Sequence, residues 1–158
     1  MRSFRLLAVL LSGLAVAVPA AAQSHDHHEN HGAASAELRL DDGGRKWPTD
    51  APLRKNMNAM RADLGAKLHA IHGGKLGKAD YAKLGQTIEA RIGDIVSQCK
   101  LDTKADAMLH IVIAELIQAA DVMLGKAEGD PAAAAHQAAL ALNGYGKHFN
   151  HPAWKPLQ

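Results

Sequence analysis

Cys99-Lys-Leu-Asp-Thr-Lys-Ala-Asp-Ala-Met-Leu-His110 holds the chain's one cysteine, a short turn and the opening of an apolar run. Upstream, Tyr81, Leu84, Ile88, Ile92 and Ile95 recur in steps of three and four, and the spacing continues to Cys99. Downstream, Leu109, Val112, Ile113, Leu116, Ala120 and Met123 repeat the pattern. Such steps place apolar side chains on one helical face. The stretch is therefore a turn between two amphipathic helices, with Thr103 and Asp106 spaced as a capping box for the second.

Two more helices flank this pair. Asp50 as N-cap and Pro52 in the first turn open one, whose apolar positions are Leu53, Met57, Met60, Leu64, Leu68 and Ile71, and Gly73-Gly74 ends it. Asp130-Pro131 opens the last, an alanine run reaching Leu142 and Tyr145. The expected helices are 51–72, 78–99, 103–125 and 131–148, and short loops between matched lengths predict an all-α, antiparallel, up-down-up-down four-helix bundle over 47–158. In that topology Met57, Cys99, His110 and His148/His151 share one pole.

The N-terminus reads differently. Arg2 and Arg5 precede the apolar run Leu6–Val18, and Pro19 and Ala20-Ala21-Ala22 follow. This is the pattern of a secretory signal peptide over 1–22, and the run is too short for a membrane span. The mature protein is expected in a bacterial periplasm, with no stable membrane insertion. Residues 23–46 comprise a histidine-rich segment, disordered by composition, and a polar lead-in. The formal net charge is +2. Without Arg2 and Arg5 the 18 basic residues become 16, against 16 acidic ones. A near-neutral chain lacks the clustered basic excess of a nucleic-acid binder.

The chemistry available is that of ligands. A lone cysteine in an exported chain makes no internal disulfide, so it is a buried thiol, an intermolecular partner or a metal ligand. Thiolate and thioether suit Cu(I), and imidazole suits copper and zinc. Cys99 and His110 are expected to share an ion, completed by Met57 or by His148 or His151. Taken singly, each has a plainer role: Cys99 as an inert thiol, Met57 as a core filler, His110 bonded to a loop carbonyl, His148 and His151 capping helix carbonyls. His25, His27, His28 and His31 make a loose site for Cu(II), Ni(II) or Zn(II). His69, His72 and His136 lie toward the other pole and read first as solvated surface histidines. No phosphate loop, nucleophile elbow or His-Glu-x-x-His pair is present, so the chain reads as a non-enzyme.

Leu53-Arg-Lys-Asn-Met57-Asn-Ala-Met-Arg-Ala-Asp-Leu64 resembles the first helix of the small soluble b-type cytochromes of the periplasm. The resemblance implies a four-helix bundle with haem iron held by a Met on the first helix and a His late on the last. Met57 matches that Met, but Gly146 follows Tyr145 where the family's His would stand. The c-prime cytochromes share the fold, and their Cys-x-x-Cys-His attachment is missing here. Gly44–Asp50, Cys99–Leu101 with Leu109-His110, and Tyr145-Gly146 with His151-Pro-x-Trp154 resemble a group of small exported bacterial proteins of unsettled role. The expected function is storage, delivery or sensing of copper or zinc. A b-type haem electron carrier and a metal-free interaction module are the alternatives, and the protein partner is left open.

Overall fold

The computed structural model describes residues 37–158. The expected signal peptide and the histidines at 25, 27, 28 and 31 lie outside the described residues. Within them the chain forms five helices: α1 Ala51–Gly65, α2 Leu68–His72, α3 Lys78–Gln98, α4 Thr103–Leu124 and α5 Pro131–His148. No strand occurs among the described residues; an isolated parallel bridge joins Trp47 to Phe149.

The stripes read from spacing form the core. Leu53, Met57, Met60 and Leu64 of α1 are buried, as are Ile88 and Ile95 of α3, Leu109 and Leu116 of α4, and Leu142 and Tyr145 of α5. α1 packs on α3 and α5, α3 on α4, and α4 on α5. Gly85 sets the α3–α4 spacing: a Cβ there would lie 2.8 Å from Leu124 Cγ and 3.0 Å from the Ala120 carbonyl oxygen.

The helix ends follow local chemistry. Asp50 accepts from Leu53 N at 2.9 Å, and Asp130 accepts from Ala132 N and Ala133 N. Each side chain satisfies donors that the first turn leaves unpaired. Gly125 ends α4 at φ +73°, a left-handed cap that costs glycine little.

Three expectations change. The first helix is not continuous to 72. It stops at Gly65, and Lys67 N bonds Leu64 O in a tighter turn before α2. Gly65 weakens the helix there, and Leu157 packs against it, 3.0 Å from where a Cβ would sit. Cys99 is not in the last turn of α3 but is its cap, with extended backbone at φ −71°, ψ 144°. The α4 cap is Asp102, which accepts from Lys104 N and Ala105 N, and not Thr103. Ahead of α1, Asp41 closes a turn by accepting from Gly43 N and Arg45 N, and Leu38 packs on the core.

Candidate functional site

The pole around Cys99 is built where the two ends of the helical chain meet. Trp47 N donates to His148 O, and Asn150 N donates to Trp47 O, each at 2.8 Å. Lys46 Nζ donates to Gly146 O at 2.7 Å, across 100 residues. Thr49 Oγ1 donates to Asn150 O at 2.7 Å. Beyond α5 the chain turns back: Asn143 exchanges two side-chain bonds with the Leu157 backbone, which straps the C-terminal residues onto the helix.

Under this clasp lies an aromatic cluster. Tyr145 stacks on Phe149 with ring centroids 5.0 Å apart. It meets Trp154 edge-on at 5.0 Å, and His151 tilts over Trp154 at 4.9 Å. Tyr145 Oη lies 2.9 Å from His151 Nδ1. Burial raises the phenol above its ordinary range, with the charges of Cys99 and Asp50 adding to it. Burial, then Arg54 and Arg61, lowers His151 below the ordinary imidazole. A protonated phenol beside a neutral imidazole fits an O–H donated to Nδ1.

Cys99 sits at the rim, half-buried, with its thiol beside the Asp50 carboxylate. Burial, then the charge and hydrogen bond of Asp50, then the charge of Asp106, push the thiol up to about 12. Asp50 itself is lowered: burial opposes this, but the backbone N–H groups of Lys100 and Leu53 outweigh it. A protonated thiol is a poor nucleophile, and a metal would have to displace its proton.

The five expected ligands of this pole are not gathered. Met57 is wholly buried in the core. His151 is committed to Tyr145. His148 Nδ1 lies 2.8 Å from Gly144 O, the capping role of a late-helix histidine. His110 faces away from the core with its side chain 64% exposed, 2.9 Å from Asp106 O and 3.4 Å from Asp106 Oδ2. It borders an outer groove with Glu37 and Leu38. Among the described residues no three His, Cys, Asp or Glu side chains are grouped to hold a metal ion. His110 follows Leu109, which is buried, and one residue rotates a helical side chain by about 100°. That step takes His110 off the core face.

The sequence reading used Trp154 only for a resemblance and gave it no place in the packing. Its indole packs on Gly146, so a Cβ at 146 would come within 3.0 Å of Trp154 Cε2, with Nε1 and Cδ1 nearer still. The missing Cβ of Gly146, inside a helix and directly after the buried Tyr145, was the available signal. No family model, curated protein or solved structure matches the chain.

Proposed function

We propose that this is an exported four-helix-bundle protein, its long helices running up-down-up-down, that binds Cu(II) at its mature N-terminus in the periplasm, with zinc as the weaker cargo. The observation that carries the reading is Gln23-Ser24-His25, directly after the expected cleavage point at Ala22 and followed by His27, His28 and His31. Cleavage there frees an α-amine two residues before an imidazole. The amine, two deprotonated backbone amides and the His25 ring give four nitrogens in one plane. Square-planar nitrogen sets select Cu(II) and Ni(II), and binding releases to solvent the two amide protons and the proton of the terminal ammonium. The remaining histidines add a looser reserve, which fits storage or delivery. The helical body acts as the carrier: its own soft groups, Met57 and Cys99, are held in the core and against Asp50.

The test is a Cu(II) titration of the mature chain. One equivalent should give the visible d–d band of a four-nitrogen complex. His25→Ala should lose that band and keep weaker binding through His27, His28 and His31. An unchanged band in His25→Ala would overturn the reading, and mass analysis of the exported chain checks the new terminus at Gln23.

The haem alternative is disfavoured by the indole of Trp154, which fills the space beside Gly146 where an axial histidine would project. One haem per purified chain, read as a Soret band, would reverse this. The interaction-module reading has support of its own in the outer groove between α4 and α5, about 610 Å³, bordered by Leu38, Val122 and the half-exposed Leu140. Copurification of a partner from the periplasm, lost on Leu140→Glu, would favour it.

A further inference from the structure

His72, the last residue of α2, and His136, in the second turn of α5, bring their rings to 6.1 Å between centroids at an interplanar angle of 60°. Both residues are exposed, so water reaches them. The two helices are in contact, and α2 is seated by the buried Leu68 and Ile71. From these facts we propose a second metal site, in which His72 and His136 together hold one borderline divalent cation, Zn(II) or Cu(II), with water filling the remaining positions.

The ring separation is close to what such a site needs. With imidazole–metal bonds of about 2.0 Å, two rings on one tetrahedral ion have centroids about 5 Å apart. Closing the difference of about 1 Å requires the two exposed side chains to turn their ring nitrogens toward a common point. Imidazole suits zinc and copper alike. The bridge would also have a structural effect. α2 has five residues, too short for a helix to hold by itself. A cation shared with α5 would fasten it to the body, because a ligand that binds only the folded form stabilises that form. His69 lies one turn before His72 on the same helix and is also exposed, which makes it the natural control for an α2-only site.

The pair is independent of the N-terminal copper reading, and the experiment keeps the two apart. Zn(II) is titrated by calorimetry into the full chain carrying alanine at 25, 27, 28 and 31; zinc does not form the amide-nitrogen complex. One zinc per chain is expected in this background. His72→Ala and His136→Ala should each weaken it at least tenfold, while His69→Ala leaves it unchanged. Zinc should raise the melting temperature and slow amide exchange across Leu68–His72 in the background chain, but not in the His136→Ala variant. Binding that survives His136→Ala, or that is lost with His69→Ala, would overturn the bridge. So would zinc binding with no added protection of α2. All three side chains are exposed, so the variants should fold as the parent does.

Discussion

Replacing Gly146 with alanine adds one methyl group inside α5, and in most helices that change stabilises. The gain is about 1 kcal/mol, because glycine loses more backbone freedom on folding. Here the new Cβ would sit within 3.0 Å of Trp154 Cε2 and closer to Nε1 and Cδ1. The indole must move, and it is held on its other sides by Tyr145, His151 and Arg61. Overpacking of this kind costs about 1–3 kcal/mol, and each aromatic pair disrupted costs about 0.5–1.5 kcal/mol more. The losses exceed the propensity gain, so Gly146→Ala should destabilise by about 1–5 kcal/mol. Gly93 is the internal reference: it is inside α3, and a Cβ there would meet no neighbouring atom. Gly93→Ala should stabilise by about 0.5–1 kcal/mol. Urea unfolding followed by helical ellipticity measures both, with the slope unchanged if only stability moves. In a Trp154→Ala background the obstruction is gone, and Gly146→Ala should change sign and stabilise. If Gly146→Ala raises the midpoint as Gly93→Ala does, the indole is not seated on Gly146 and the packing of this pole has been misread.

Asp50→Ala removes the acceptor for both Leu53 N and Lys100 N, and should cost about 1–3 kcal/mol in urea unfolding. The lowered carboxyl of Asp50 gives stability present above its ordinary value of 3.8 and lost as pH falls through the lower native value, so the parent's advantage over Asp50→Ala should shrink below about pH 4. The raised thiol of Cys99 acts at the other end: its contribution is full below 9.0 and is lost as pH rises toward about 12. Cys99→Ser should therefore lose less stability than the parent over that alkaline window, and native Cys99 should alkylate far more slowly at pH 8 than the urea-unfolded chain. Deleting Ser24–His31 should lower the copper and zinc bound, measured by elemental analysis, and leave the melting temperature nearly unchanged; a large fall would mean that this segment docks on the helices.

Periodicity made the core legible because each stripe obeys one repeat: Leu53 to Ile71 and Tyr81 to Ile95 needed only the spacing of three and four. Asp50 and Asp130, each followed by a nearby proline, marked two helix starts for the same local reason. Contacts made far along the chain left no such trace. The stop at Gly65 involves Leu157, and the burial of Trp47 is shared with His148 and Phe149. Spacing did not give the angles of the expected ligands: Cys99 lies past the end of its helix, and His110 is turned away beside the buried Leu109.

The clasp between the two ends of the chain has a consequence for how the molecule can be watched. The sequence has two tryptophans, and neither is in a helix: Trp47 precedes α1 and Trp154 follows α5. Both indoles stand at the joint, Trp47 Nε1 donating to Arg39 O and Trp154 lying on Gly146. Indole emission thus follows the joining of the ends, while amide ellipticity follows helices that contain no indole. A chain whose ends part before its helices melt would separate the two signals in time or in denaturant, and no label would have to be attached to see it.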